Sequence, residues 1–314
     1  MPVVQTTPKT SVIVLGSYEG VISGYTFNLE DLSFTQTFGY QAHIGSVKSI
    51  NISGRHLATG GTDEVIHLFD TFQLREKGGL SCHSSSITAL ALAGSVLLSG
   101  SQDGTICVSE NKGSEWNTRL TINAHKDSVS SIAIHPSSRM ALSTSPDGTL
   151  RMWDLMRGTC ACVHNLVSTS TTVRTHPSQT QVSPSGQSFA LLFTNKIQIG
   201  RFDSSTVLTF TGNFSHLLLL SDSCLIAGDA LGGLTVLTVN EASVETASKT
   251  EGTHDARIKG ISCLHGEAVV ASVCTSGKLV VWRVCENFQL SKLAMVESGI
   301  GRVNCMDSTS NIVS

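Results

Sequence analysis

Short runs of alternating apolar and polar residues follow one another along most of the chain. Two clear examples are VKSINI at 47–52 and VSSIAI at 129–134. An alternation of period two is typical of a strand with one buried face, and the Gly, Ser and Asp clusters between the runs are typical of tight turns. Helical periodicity is almost absent. The pattern therefore predicts an all-β protein built from short antiparallel strands.

The same phrase recurs at a nearly constant interval. His43, His83 and His125 are 40 and 42 residues apart, and His254 lies 129 residues beyond His125, which is three periods of 43. A β-branched residue stands four positions after each histidine: Val47, Ile87, Val129 and Ile258. An alternating strand, a second apolar strand, an Asp-containing turn and a third strand follow, as in GTDEVIHLFD at 61–70. A period of this length indicates a repeat architecture.

A repeat that opens with His and closes with Trp–Asp, as at Trp153–Asp154, resembles the WD40 family. The resemblance covers nearly the whole chain. It is strongest in residues 42–154, recognisable at 254–283 and weak between 168 and 240. It implies a β-propeller of four-stranded blades.

We expect residues 1–314 to form a single propeller of seven blades. Blades two to seven are predicted at 43–75, 83–120, 125–163, 168–210, 214–247 and 254–294. Residues 11–40 supply only the last three strands of a first blade, and the missing strand is predicted at 301–307, in GRVNCMD. A closing blade shared between the two ends of the chain avoids two exposed strand edges.

The WD40 resemblance implies a hydrogen-bonded motif in each blade, made by the opening His, a Ser or Thr, the turn Asp and the Trp. The matching residues are His125, Ser143, Asp147 and Trp153 in blade four, His43, Thr59, Asp63 and Phe69 in blade two, His83, Ser99 and Asp103 in blade three, and His254, Ser272 and Trp282 in blade seven. Blades five and six have lost most of the motif. Ser, His and Asp could also suggest a hydrolase triad, but repetition in several blades favours a structural role.

Composition narrows the function. Charged residues make up 14% of the chain and its net charge is −3, which argues against disorder and against nucleic-acid binding by the molecule as a whole. The nine cysteines fall mostly in apolar runs, which favours reduced, buried thiols and an intracellular protein. The longest apolar stretch is broken by Asp222, so we expect no membrane role.

Candidate chemistry is sparse. Cys160, Cys162 and His164 share one face of a predicted strand, but a second Cys pair for a zinc site is missing from the pattern. Phosphate-binding, dinucleotide and metalloprotease motifs are also missing. We therefore expect a protein that is not an enzyme, with no cofactor, no metal site and no small-molecule substrate.

Alignment of the repeats predicts a local basic surface on an acidic protein. The residues three and five positions after the opening histidine fall on one face, and the basic ones are Arg257, Lys259, Arg302 and Lys48. Tyr18 and Thr62, just before turn acids, are neighbouring candidates for partner binding. The alternatives are ordinary solvated charge and a site for RNA phosphates or an acidic peptide.

Longer phrases indicate one branch of the WD40 family. GSYEGVISGYTF, TGGTDEVIHLFD and HPSSRMALSTSPDGTLRMWDLMRG, in this order, resemble the family of the PAK-interacting WD40 protein and the fungal maintenance-of-killer WD40 protein. The resemblance implies a non-catalytic nucleolar scaffold for assembly of the large (60S) ribosomal subunit and maturation of pre-rRNA. Its implied partners are pre-60S assembly factors and ribosomal-protein-like factors. Pre-rRNA and a PAK-type kinase, which animal members restrain, are further candidates.

Two observations keep an alternative open. Longer members of this family carry a Lys-rich C-terminal tail, whereas this sequence ends in STSNIVS, which puts tail-mediated RNA binding and nuclear import in doubt. The alternative is a cytoplasmic WD40 signalling or ubiquitin-ligase adaptor. Such ligase receptors often carry a Trp-Asp-x-Arg box, and here Arg157 comes one position too late after Trp153 and Asp154. This mismatch disfavours the adaptor hypothesis.

Overall fold

The computed structural model describes residues 10–113, 115–166, 176–266 and 268–310. The predicted start of blade five, 168–175, lies outside the described residues. Within the described ranges, 28 β-strands form seven four-stranded antiparallel sheets, and no helix capable of crossing a membrane occurs there. The prediction of an all-β, seven-bladed propeller is confirmed.

Six of the sheets consist of four strands that are consecutive in the chain. The first strands are β1 (Thr10–Ser17), β2 (Val21–Asn28) and β3 (Ser33–Gln41). Blade two has β4 (Val47–Ser53), β5 (His56–Gly61), β6 (Ile66–Asp70) and β7 (Arg75–Leu80). Blade three has β8 (Ile87–Ala93), β9 (Val96–Ser101), β10 (Thr105–Lys112) and β11 (Glu115–Asn123). Blade four has β12 (Ser131–Ile134), β13 (Met140–Thr144), β14 (Thr149–Asp154) and β15 (Thr159–Asn165).

The remaining blades follow the same order. Blade five has β16 (Gln179–Val182), β17 (Ser188–Leu192), β18 (Lys196–Arg201) and β19 (Val207–Thr211). Blade six has β20 (Phe214–Ser221), β21 (Cys224–Asp229), β22 (Leu234–Val239) and β23 (Val244–Thr250). Blade seven has β24 (Ile258–His265), β25 (Val269–Cys274), β26 (Lys278–Val284) and β27 (Leu290–Glu297), and the last strand is β28 (Val303–Ser310).

The last strand closes the ring. β28 pairs antiparallel with β1, from Ser11 opposite Ser310 to Ser17 opposite Val303, and becomes the innermost strand of blade one. The Tyr25 hydroxyl of the same blade donates to the carbonyl of Ser298 at 2.8 Å, which ties the blade to the segment that leads into β28. The predicted closing blade, shared between both ends of the chain, is confirmed.

The hydrophobic core lies between neighbouring blades. Val14 and Ile22 of blade one pack with Ile50 and Phe69 of blade two, and equivalent clusters fill other blade interfaces. Inner and middle strands are covered on both faces, so β25 is buried at every position, whereas the outermost strand β15 is largely exposed. Burial on two faces explains why the second and third strands of the repeats are continuous apolar runs.

The innermost strands form the inner wall of the ring. β28, β4, β8, β12, β16, β20 and β24 contact one another in a closed cycle. Each is the edge strand of its own sheet, so backbone groups on its free side need partners from elsewhere. Between blades two and three, polar side chains supply them: the N–H of Leu90 donates to Ser49 Oγ at 3.0 Å, and that of Leu92 to Asn51 Oδ1 at 2.7 Å.

The same bond recurs at equivalent positions around the ring. The N–H of Leu217 donates to Gln179 Oε1 at 2.9 Å, between blades five and six. At the closure, the N–H of Ile52 donates to Asp307 Oδ2 at 3.0 Å, just as Leu92 donates to Asn51 one blade further on. Polar residues on the inner strands therefore replace the missing neighbour strand.

Candidate functional site

Blade four holds the complete predicted motif. His125 lies with Nδ1 3.0 Å from Asp147 and with Nε2 2.7 Å from Ser143 Oγ, and the Trp153 indole N–H donates to the same hydroxyl at 2.8 Å. Because the Asp147 carboxylate can only accept, Nδ1 carries the ring proton and donates to it, and Nε2 accepts from the Ser143 hydroxyl. Burial lowers the pKa of His125, so the ring is neutral at pH 7.

Blade two has the same chain without the indole. His43 contacts Asp63 at 2.8 Å through Nδ1 and Thr59 Oγ1 at 2.8 Å through Nε2. Phe69 occupies the Trp position, is buried, and packs edge-on against the Tyr40 ring with centroids 5.4 Å apart. Phe69 thus contributes packing and no hydrogen bond.

Blade three differs from the implied pattern in one contact. His83 Nε2 lies 2.8 Å from Ser99 Oγ as expected, but Nδ1 meets Thr105 Oγ1 at 2.8 Å and Asp103 only at 3.7 Å. The expectation of a direct hydrogen bond between His83 and Asp103 is therefore wrong. The Thr105 hydroxyl, which donates to Asp103 at 2.6 Å, stands between the two groups.

Blade seven lacks the turn acid. His254 Nε2 lies 2.7 Å from Ser272 Oγ, and Trp282 donates to that hydroxyl at 2.8 Å. Ser276, at the Asp position, donates instead to Asp255 at 2.7 Å. Among the described residues, His254 Nδ1 has no hydrogen-bond partner, and burial lowers the pKa of this ring to about 4.

These contacts support a structural role for the motif. Ser143 is completely buried and holds two neighbouring groups through its hydroxyl, whereas a catalytic nucleophile must reach a substrate. Each member satisfies a buried polar partner, and networks satisfied in this way rigidify the element that carries them.

Serine-to-alanine variants of two blades should separate the indole bond from the rest of the motif. Ser143→Ala leaves the His125 Nε2 and the Trp153 indole N–H without a partner. Ser99→Ala, at an equally buried site, leaves the His83 Nε2 and removes one weak contact of Cys82 Sγ at 3.9 Å. We expect Ser143→Ala to lose about 1–3 kcal/mol more unfolding free energy than Ser99→Ala, measured by urea denaturation. Equal losses in the two variants would show that the indole bond adds nothing.

A channel runs through the centre of the ring. It has a volume of about 520 Å³ and is lined by the innermost strands of all seven blades. At the start of these strands in five blades, a β-bulge leaves one residue without an opposite partner: Asn304, Lys48, Thr88, Ser215 and Lys259. A bulge changes the direction of a side chain, and all five residues line the channel.

Three cations, Lys48, Arg257 and Lys259, line this channel, and Arg302 lies close enough to act on the charge of Lys259. Burial lowers the pKa of Lys259, and the positive charges of Arg257, Arg302 and Lys48 lower it further. Arg257, Arg302 and Lys48 are exposed. In the described part of the chain, none of the four forms a salt bridge. We call these residues, Lys48, Arg257, Lys259 and Arg302, the basic cluster.

One of the two predicted neighbours joins the basic cluster. The Tyr18 ring is about half exposed and lies 5.7 Å from the Arg302 guanidinium, and the Tyr18 N–H donates to the Arg302 carbonyl at 2.8 Å. Thr62 is exposed in the turn before β6, where its N–H donates to the Ser46 carbonyl at 3.1 Å. The contacts described for Thr62 do not reach the basic cluster.

Two titratable residues of the channel wall were missed from the sequence. Burial raises the pKa of Asp307 to about 7, although the Ile52 N–H and the Asn51 amide (2.9 Å) donate to its carboxyl. Burial and the charge of Lys259 lower the pKa of His216 to about 4, so this ring is neutral. Alignment of β28 with β4 pairs Asp307 with Asn51, which is the signal that could have found Asp307.

The Asp307→Asn variant tests the buried carboxyl. A raised folded-state pKa contributes stability below pH 4, and this contribution is lost as the pH rises through about 7. From pH 5 to pH 8 the parent protein should therefore lose unfolding free energy relative to Asp307→Asn, by at most about 1.4 kcal/mol per pH unit. The buried histidines titrate equally in both proteins and cancel in the comparison. Parallel pH profiles would contradict the buried-carboxyl assignment.

The cysteines require one correction. Only Cys107, Cys224 and Cys274 are buried, while Cys160 is exposed and the other five are half-buried. The expectation that these thiols are buried was therefore wrong for most of them. Cys160 and Cys162 lie on the outermost strand β15, and Cys263 and Cys305 lie on the innermost strands β24 and β28, which are covered less than the middle strands. In β15, Cys162 Sγ lies 3.3 Å from His164 Nε2, whereas Cys160 Sγ donates to the Cys162 carbonyl at 3.3 Å.

Comparison with known proteins gives concordant matches. The family model "WD domain, G-beta repeat" matches residues 33–70, 74–108 and 116–154. The "p21-activated protein kinase-interacting protein 1-like" protein of Danio rerio is 31% identical over 303 residues, which cover 94% of this chain and 79% of the relative. "Protein MAK11" of Saccharomyces cerevisiae is 33% identical over 170 residues, 46% of this chain and 41% of that protein.

A solved structure agrees on the fold. The structure of U3-55K superposes with a TM-score of 0.71 over 85% of this chain and 86% of that one, at 16% sequence identity. At this identity the likeness concerns the fold alone.

Proposed function

Because the chain belongs to the WD40 family of p21-activated protein kinase-interacting protein 1-like proteins, we propose that it is a non-catalytic nuclear scaffold for assembly of the large ribosomal subunit. The relative named MAK11 supports this proposal, together with the phrases that resemble the maintenance-of-killer proteins. Propellers of this family generally act as platforms for interaction with other proteins. In this role the protein contacts pre-60S assembly factors or ribosomal-protein-like factors in the nucleolus, during maturation of pre-rRNA.

The observation that carries the proposal is the basic cluster. A chain of net charge −3 places four cations close together, and the pKa of Lys259 is lowered by burial and, further, by the charges of the other three. Repulsion between like charges costs free energy in the unbound protein, and an anionic partner would relieve it. Asp307, in the same channel, is only partly ionised at pH 7 because its pKa is raised to about 7, so it offsets less than one unit of this charge.

An acidic protein segment fits this cluster better than an RNA helix. Two of the basic residues, Lys48 and Lys259, stand on bulges that line a channel of about 520 Å³, which matches a few side chains rather than a duplex. RNA binding would also require neutralisation of many phosphates by a wider basic surface. Tyr18 beside Arg302 adds an aromatic surface, a residue type that is enriched at protein interfaces.

A PAK-type kinase is the second candidate partner. It is favoured by the names of several relatives, among them the Danio rerio protein and "Shk1 kinase-binding protein 15" of Schizosaccharomyces pombe. Both roles require only a binding surface, and the two partners would compete if they use the same channel mouth. The cytoplasmic adaptor alternative has no comparable support.

Charge reversal of the cluster tests the function. Affinity purification of the tagged full chain from its own cells, followed by sedimentation, should show co-migration with pre-60S particles. In the variant Lys48→Glu/Arg257→Glu/Lys259→Glu, the amount of the chain that co-migrates with these particles should fall at least ten-fold, because the anionic partner is then repelled. The eluates are also probed for a PAK-type kinase and for cullin subunits.

The control carries the same change of charge at three exposed cations on other strands, Lys112→Glu/Arg283→Glu/Lys292→Glu. We expect this control to keep the association of the parent protein. Free sedimentation of the parent chain would overturn the assembly role. Co-migration of all three proteins to the same extent would keep the assembly role and overturn the basic cluster as its docking site.

A further inference from the structure

Blade three departs from the other blades that keep the motif at two positions. The residue before the opening histidine is Cys82, whereas the equivalent residues are Ala42, Ala124 and Thr253. The residue four positions after the turn acid is Cys107, whereas the equivalents are His67, Arg151 and Val280. The two positions are 25 residues apart in the chain, yet both face the same histidine, His83.

The three side chains converge on one point. Both thiol sulfurs and a ring nitrogen of His83 lie within 4.8 Å of one another, and Cys107 Sγ is 3.9 Å from Nδ1. Cys107 is completely buried, the His83 side chain is likewise buried, and Cys82 is half-buried. The group is therefore enclosed but has one ligand that a solvated ion can reach.

The thiols have few competing interactions. Cys82 Sγ is 3.9 Å from Ser99 Oγ, and Cys107 Sγ contacts the Cys82 carbonyl at 3.2 Å and Thr121 Oγ1 at 3.3 Å. Sulfur is a weak hydrogen-bond partner, so little is lost when these contacts break. The other such group among the described residues, His43, Asp63 and His67, is different, because its histidines bond carboxylates, His43 to Asp63 and His67 to Glu76, each at 2.8 Å. His83 Nδ1 bonds a neutral hydroxyl, Thr105 Oγ1, at 2.8 Å.

The histidine of this blade can present a lone pair after a change of tautomer. In blade four the Asp147 carboxylate, which can only accept, bonds Nδ1 directly and holds the proton there. In blade three Nδ1–H donates to the Thr105 hydroxyl, which in turn donates to Asp103. Ser109 stands at the Trp position, so Ser99 receives no indole N–H and can accept from Nε2–H. Binding of a cation moves the ring proton from Nδ1 to Nε2 and leaves the Nδ1 lone pair facing Cys107 at 3.9 Å.

We propose that Cys82, Cys107 and His83 Nδ1 bind a thiophilic divalent cation, with Zn²⁺ as the reference ion. Zinc bonds of about 2.3 Å to sulfur and 2.0–2.1 Å to nitrogen place tetrahedral donor atoms roughly 3.5–3.8 Å apart, a modest contraction of the observed group. Each thiol releases its proton to solvent on binding, and two thiolates balance the charge of the dication. Asp103 or a water molecule completes the tetrahedron, and Ser99 orients the ring through Nε2.

Cobalt titration of the full chain tests the site. The purified protein, stripped with a chelator, is titrated with Co²⁺ alone and then with Zn²⁺ against a chromophoric chelator. We expect one equivalent of Co²⁺ to produce a thiolate-to-cobalt charge-transfer band that Zn²⁺ abolishes. In Cys82→Ser and in Cys107→Ser the band should vanish and the affinity for Zn²⁺ should fall at least ten-fold.

The matched control is Cys160→Ser/Cys162→Ser, which removes the other Cys–Cys–His set of the chain, in β15. This control should keep the band and the stoichiometry. Cys82 is half-buried, so its serine variant should stay folded, which circular dichroism checks. Absence of the charge-transfer band in the parent protein would overturn the site. So would a folded Cys82→Ser variant with unchanged Zn²⁺ affinity, or loss of the band in the Cys160→Ser/Cys162→Ser control.

Discussion

Every blade has a free edge at its innermost strand, and the ring exists because polar side chains of the adjacent blade occupy that edge. Ser49 and Asn51 accept the N–H groups of Leu90 and Leu92, and Gln179 accepts that of Leu217. An unpaired buried N–H costs about 1–3 kcal/mol, so a ring without such bonds would be penalised at several blade interfaces at once. Apolar packing between blades holds the sheets together, but packing is non-directional. The side-chain bonds fix the rotation of one blade against the next.

The same constraint shapes the channel and gives it a chemical character. The inner-strand positions that bond the edge N–H groups of the next blade must be polar. A bulge on the same strands turns one further residue toward the axis. Asp307 meets the structural requirement at the ring closure, where its burial raises its pKa to about 7. Lys48 and Lys259 are not needed for any of these bonds, so their charge is available to a partner. The bonds between blades and the charges at the channel thus come from different positions of the inner strands. This separation explains how a propeller can carry positive charge at the opening of its channel without loss of the bonds that close the ring.

The fold was predictable because it repeats. The interval between the histidines predicted the number and position of the blades. The missing first strand of blade one, together with the strand-like segment at Arg302–Val303, predicted that the two ends of the chain share one blade. The cations of the basic cluster were predictable as aligned residues, but the place of Lys48 and Lys259 on the channel wall was not, because a bulge is a property of the paired strands. His83 shows a second limit of prediction from the repeat. The Thr105 hydroxyl lies between His83 and Asp103, and the repeat pattern does not indicate whether the histidine bonds the acid directly or through this hydroxyl. Cys82 and Cys107 were not predictable as a pair of ligands because they are 25 positions apart in the sequence and form no short metal-binding motif; the fold brings them together.

Hydrogen exchange of the inner-strand amides tests the central claim most directly. The N–H groups of Ile52, Leu90, Leu92, Leu217 and Leu219 point away from their own sheets and bond only to side chains of the adjacent blade. If these bonds close the ring, the five amides exchange as slowly as the sheet-paired amides of the same strands, through global unfolding. Exchange at the rate of exposed turns, while the sheet-paired amides stay protected, would contradict the account.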